Sequence, residues 1–194
     1  ARLAKSRYDV VACDLPWFGE LAADGVLMPL DALIKRDDYD LSDFHPMAIQ
    51  SSGYAGSQYG IPVQTTPELL CYRQDVFEAL QLTPPTTTEA LVKVARQLHK
   101  PAKGRYGIAW NAARGTPLGH TFSFLMAKFG QPLLNLSSCQ GGYDFQQARG
   151  EQLRPMFQSD AAYRACEYML DILKYSPPNI LSMSWYERAQ SYAS

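Results

Sequence analysis

The chain has 194 residues, 46% of them hydrophobic, 19% charged and 12% aromatic, with a formal net charge of −1. This composition excludes a disordered chain, which carries fewer apolar residues and more net charge. The charge balance gives no electrostatic case for a nucleic-acid partner, and no apolar run approaches the roughly 20 residues of a membrane span.

Taken in order, residues 1–7 show no apolar signal core, so a signal peptide is expected to be absent from this sequence. Tyr8 to Asp14 reads as a buried strand, with uncharged, β-branched central residues, that stops where Pro16 breaks a ladder. A short helix is expected from Phe18 to Ala23, ended by Gly25 in a left-handed cap. Residues 35–58 are polar and turn-rich. Asp37, Asp38, Asp40 and Asp43 lack the ordered ligand spacing and central glycine of a calcium loop and read as a solvated face.

Tyr59 to Leu82 combines two strand-like runs, Ile61–Val63 and Leu69–Tyr72, around the polar insert 64–68. Helical spacing then starts at Val76, Phe77 and Leu80. Thr86 with Glu89 matches a capping box ahead of a helix to about Lys100, with Leu91, Val94, Ala95 and Leu98 as its stripe. Tyr106–Trp110 reads as a strand. A glycine- and proline-punctuated loop to His120 follows, then an apolar helix from Thr121 to Phe129. Residues 135–157 read as irregular, with Gly141 and Gly142 as a turn. From Ser159 a helix is expected with Tyr163, Cys166, Met169, Leu170 and Leu173 inward, ending at Ser176, and a last helix starts at Ser184.

The four cysteines, Cys13, Cys71, Cys139 and Cys166, form no CxxC and read as buried small hydrophobes rather than a disulfide framework. His45, His99 and His120 are too dispersed for a zinc site, and no G-x-S-x-G elbow, P-loop or G-x-G-x-x-G is present. The reading therefore assigns no enzyme activity, no cofactor and no metal.

Gly60-Ile61-Pro62 with Leu70, Tyr72, Arg73, Asp75 and Phe77 resembles the "G-[IV]-P … L-x-Y-[NR]-x-D-x-[FL]" crossover of extracellular solute-binding proteins, the sugar-type receptors of ABC importers. Asp9 to Asp31 resembles the same family's "DVV…D…W-x-x-E-L-A-x-x-G-x-L-x-P-L-D" segment. The resemblance implies an α/β, periplasmic-binding-protein-like bilobal fold, with part of the amino-terminal lobe at 1–63 and most of the helix-rich carboxy-terminal lobe at 64–194. The return crossover is expected to be missing, leaving the amino-terminal sheet incomplete. It implies capture of a carbohydrate or polyol by lobe closure about Val63–Leu69, and the membrane subunits of an ABC importer as partners. The location implied is periplasmic or extracellular, lipid-anchored in a Gram-positive cell. Two other classes stay open. One is a cytoplasmic ligand-sensing domain of a transcriptional regulator, and the other is an enzyme completed by further segments.

A sugar offers an apolar ring face and a rim of hydroxyls, so a receptor needs flat aromatics and side chains that donate and accept. Trp17, Tyr72, Trp110 and Trp185 are the candidates for stacking, and Asp14, Gln64, Asn111, Arg114 and His120 for the rim. The resemblance places ligand-facing positions at Asp14, Trp17, Gln64, Tyr72, Arg73, Trp110 and Asn111, with His120 and Trp185 corresponding only loosely. Trp17 and Trp110 are expected to share one cleft, with Gln64 and Tyr72 at its floor. Each has a plain structural alternative. Trp110, Trp17 and Trp185 would serve equally as packing, Asp14 as a helix cap, Tyr72 as a strand residue, and Arg73 and His120 as solvated side chains.

Overall fold

A computed structural model describes residues 8–64, 67–139, 142–145 and 148–193. The chain divides into two compact units, Ala1–Cys71 and Tyr72–Ser194.

In the first unit, α1 spans Leu15–Ala23, with Asp14 at its N-cap and Pro16 in its first turn. Pro fits there because the first helical N–H groups have no acceptor within the helix. The helix buries Phe18 and Ala22, four residues apart on one face. It ends in a Schellman motif. Gly25, at φ 66°, donates to the Ala22 carbonyl, and Val26 donates to that of Leu21. Helix α2 covers Asp31–Arg36 and α3 covers Pro46–Ser51. Next come the paired strands β1, Gly53–Tyr54, and β2, Ser57–Gln58. Their two-residue connection holds Ala55 and Gly56 at positive φ, as a type I′ hairpin turn requires.

Polar bonding ties this unit together. The Gln58 carboxamide donates to the Ile49 carbonyl at 3.3 Å, Ser52 Oγ at 3.0 Å and the Gly60 carbonyl at 2.7 Å. The Gln58 main chain accepts from Leu30 and donates to the Asp31 carboxylate.

In the second unit, α4 covers Gln74–Ala79, α5 Thr88–Leu98, α6 Thr116–Lys128, α7 Asp160–Leu173 and α8 Trp185–Ala193. The hairpin β3, Ser137–Cys139, pairs antiparallel with β4, Gly142–Asp144. Two apolar clusters fill the interior. Trp110, Ala112, Ile172, Ile180 and Met183 form one, and Leu125, Met126, Ala162 and Ala165 form the other. Tyr168 and Met169 of α7 pack against both. Burial pushes the Tyr168 hydroxyl up to about 12, with the Glu89 carboxylate adding to the rise.

Several expectations are corrected. Residues 8–14, 61–63, 69–72 and 106–110 form no strands. Val10, Val11, Ile61, Val63 and Ile108 favour extended backbone locally, but a strand exists only beside a partner, and none of the described residues pairs with them. Val10 is instead 89% exposed. Cys71 and Cys166 are not buried; both are exposed, as is Cys139, Cys13 is half-buried, and all four thiols are free. Helix α7 turns Ala161, Ala162, Ala165 and Ile172 inward, leaving Tyr163, Cys166 and Leu170 outside. Small residues let α6 and α7 approach closely, so the largest side chains did not mark the buried face. The cap of α5 is Thr87, whose hydroxyl accepts from the Ala90 amide at 3.1 Å, rather than Thr86. Within 135–157, read as irregular, lies the β3–β4 hairpin; Gly141 of the expected turn lies outside the described residues.

Candidate functional site

Each unit carries its own share of the residues singled out in the sequence. In the first, Asp14 sits at the N-cap of α1 but its side chain makes no cap bond. Trp17 is on the outer face of α1 and is 60% exposed, while its neighbour Phe18 points inward. Gln64 is exposed, outside any helix or strand.

In the second unit the expected residues separate into three groups. Tyr72 lays its ring against Phe77, centroids 4.8 Å apart. Arg73 commits its guanidinium fork to the Asp75 carboxylate at 2.9 and 2.7 Å, an exposed pair that raises the arginine pKa and lowers that of the aspartate. Trp110 is a core residue. Its ring lies in the first apolar cluster and its indole N–H donates to Ser176 Oγ at 3.0 Å. Ser176 passes that bond on to the Ile172 carbonyl at 2.8 Å, so the buried indole is satisfied without any ligand. The expectation of a ligand-facing Trp110 is thereby corrected.

The third group is a cluster at the start of α8. Main-chain geometry brings it together. Gly107 and Ile108 donate to the Tyr175 carbonyl, and Ala112 and Ala113 donate to that of Met183. Residues 107–113 are thus laced to the segment that leads from α7 into α8. Within this stretch Trp110 enters the core cluster while the Asn111 side chain faces α8. Asn111 is 3% exposed, and its main-chain carbonyl accepts from Thr121 Oγ1 at 2.9 Å. Two donors, Trp185 Nε1 and Arg188 Nη1, face its carboxamide, which assigns the amide oxygen to their side, where it accepts from each at 3.2 Å.

Trp185 remains 43% exposed. The His120 ring meets it edge-on, centroids 6.3 Å apart at 63°. Ser184 caps the helix. Its amide donates to the Glu187 carboxylate at 3.1 Å and its hydroxyl donates to the same oxygen, which lowers the Glu187 pKa. Arg114 is exposed in the loop between Asn111 and α6.

The structure therefore brings Asn111, His120 and Trp185 together and adds Arg188, which the sequence reading did not select. Its signal was available: Arg188 follows Trp185 by three residues, which places the two on one helix face. Among the described residues no group of three or more histidine, cysteine, aspartate or glutamate side chains forms a metal cluster. No described helix is long and apolar enough to cross a membrane.

Comparison with known proteins is consistent across sequence and structure. The family model for bacterial extracellular solute-binding proteins matches residues 1–185. The maltotriose-binding protein of Pyrococcus abyssi is 33% identical over 94 residues, which cover 48% of this chain and 19% of that protein. A solved solute-binding protein of an ABC transporter from Agrobacterium radiobacter K84, in complex with ribitol, superposes with a TM-score of 0.77. It is 25% identical, and the match covers 96% of this chain and 44% of that one. A second, from Agrobacterium vitis S4 with bound D-mannitol, has a TM-score of 0.72 at 22% identity, covering 97% of this chain and 43% of that one. Maltose-bound MalE3 of T. maritima has a TM-score of 0.65 at 24% identity, covering 91% and 41%. The chain thus spans under half the length of these structures and a smaller share of the curated relative. Its fold is the α/β fold of those proteins, and the chain belongs to the bacterial extracellular solute-binding protein family.

Proposed function

We propose that this chain is part of a receptor that captures a sugar or polyol without chemical change and passes it to the membrane subunits of an ABC importer, in the periplasm or outside the cell. The carrying observation is the similarity over 96% of the chain to a ribitol-bound receptor. It coincides with a half-exposed Trp185 held by buried bonding beside His120. An indole so held offers a flat apolar face to a sugar or polyol backbone, and a stacked aromatic contributes about 0.5–1.5 kcal/mol beyond area burial. In the first unit, Trp17 on the outside of α1, with Asp14 and Gln64, is the proposed counterpart. Tyr72 and Arg114 complete the proposed set.

Lobe closure on the ligand is part of the same proposal and rests on the family relation. Calorimetry with ribitol, D-mannitol, maltose and maltotriose tests the reading, together with chromatography of the recovered ligand. One of these should bind and be recovered unaltered, with a smaller radius of gyration by solution scattering. Trp17→Ala or Trp185→Ala should weaken it about tenfold or more. Absence of binding across the panel, or turnover of the sugar, would remove the reading.

A further inference from the structure

We infer that Asn111 is not a ligand-contacting residue but the positioning residue of the site, fixing the ring plane of Trp185 and the guanidinium of Arg188 through one shared acceptor. The inference rests on the sugar- or polyol-binding reading for its function, though not for its geometry. Burying a carboxamide is unfavourable unless its hydrogen bonds are made. Leucine has nearly the same size, so a position that required only filling would not need an amide. Asn111 is 3% exposed, and the two donors facing its carboxamide, Trp185 Nε1 and Arg188 Nη1, assign the amide oxygen to their side at 3.2 Å each.

Trp has a single polar hydrogen, on Nε1. Directing it at a fixed oxygen leaves the ring one orientation about its Cβ–Cγ bond, with His120 against its edge. The acceptor is itself fixed. The Asn111 carbonyl is bonded to Thr121 on α6, and the next two amides are bonded to the Met183 carbonyl. One buried residue therefore connects α6, through its main-chain carbonyl, and the first turn of α8, through its amide oxygen, to the 107–113 segment. A stacking surface held in place before the ligand arrives loses less entropy on binding.

The test compares Asn111→Leu, which accepts nothing, with Asn111→Asp, which still accepts from both donors. The first readout needs no ligand: the indole N–H resonances in nitrogen–proton NMR, assigned by Trp→Phe replacement. In Asn111→Leu the Trp185 resonance should move and its exchange with water should rise, while that of Trp110 stays. In Asn111→Asp both should persist. The second readout is affinity for whichever of ribitol, D-mannitol, maltose or maltotriose the unaltered chain binds. It should fall about tenfold in Asn111→Leu and stay within about threefold in Asn111→Asp.

Trp185→Phe keeps the ring but removes the donor. It should lose about threefold to tenfold in affinity with the unfolding midpoint nearly unchanged, which decides the matter if Asn111→Leu does not fold. An unmoved Trp185 resonance in Asn111→Leu, or full affinity in both Asn111→Leu and Trp185→Phe, overturns the inference. If the unaltered chain binds none of the four compounds, the functional reading fails while the Trp185 resonance still decides the geometry.

Discussion

Residues 72–193 place Met126, Ala165, Ile172 and Met183 in two apolar clusters that share Tyr168 and Met169, whereas residues 8–71 bury only Phe18 and Ala22 among their described apolar side chains. The second unit is held by close packing, whose loss costs free energy in proportion to the cavity left. The first is held by the Gln58 carboxamide, by the Gly25 and Gly56 turns and by main-chain bonds around Ser52. Net hydrogen-bond contributions are about 0.5–1.5 kcal/mol each, so a unit built this way stands close to its unfolding limit. The same chain thus contains one part held by packing and one in which a single carboxamide supplies three of the bonds.

The largest expected effect comes from the packed unit. Met126→Ala removes a side chain with no exposed surface and should cost about 2–5 kcal/mol, read as a lower denaturant midpoint by circular dichroism. A cost under about 1 kcal/mol would mean the clusters are looser than their burial indicates. Next, Gln58→Leu should cost the first unit about 1–3 kcal/mol, because the Ser52 hydroxyl and the Gly60 carbonyl lose the carboxamide donor, while the Ile49 carbonyl keeps those of Ser52. Amide hydrogen exchange should then accelerate within residues 26–60 and stay unchanged in α6 and α7. Equal acceleration in both would erase the contrast between the units.

A third measurement sharpens it. A chain retaining only Trp17 should report its fluorescence transition at lower denaturant than one retaining only Trp110, since only the latter lies in a cluster. Coincident transitions would show one cooperative unit.

The smallest effect concerns pH. Ser184 holds the Glu187 carboxyl below its ordinary value of 4.5. A depressed carboxyl contributes stability that is full above the ordinary value and lost as pH falls through the lower, folded value. Fraying of α8, followed by Trp185 emission, should therefore begin below about pH 4.5 and be absent in Glu187→Gln.

What the sequence disclosed follows from which forces act locally. Helices α1, α4, α5 and α7 were legible because their spacing and turn residues act within a few positions. The Gly25 cap was foreseen for the same reason, and the Ala55–Gly56 turn, equally local, was passed over because its surroundings are polar. Strand partners are a long-range property, so residues 8–14 and 106–110 read as strands and are not.

The site shows a similar division. Asn111 and Trp185 were recognised as polar and aromatic candidates. Which side of the 107–113 segment each neighbour faces depends on bonds to Tyr175 and Met183, more than sixty residues away in sequence. Residue type alone suggested that both Trp110 and Asn111 face a ligand, whereas both are buried, the tryptophan in the apolar cluster and the asparagine against α8.

Gly107 bears on how this region can change over time. A side chain there would bring its first carbon within 2.1 Å of the Ala95 carbonyl oxygen on α5, a main-chain atom that cannot move aside. Only glycine lets the segment lie this near the helix, and the contact fixes where the segment starts. A point replacement beyond Gly107 alters one side chain. Inserting or deleting one residue between Gly107 and Trp110 would shift the indole away from Ser176 and the carboxamide away from α8, because main-chain bonds to Tyr175 and Met183 hold both ends of the stretch. Lineages of this protein should accordingly vary the residues of this stretch far more readily than its length.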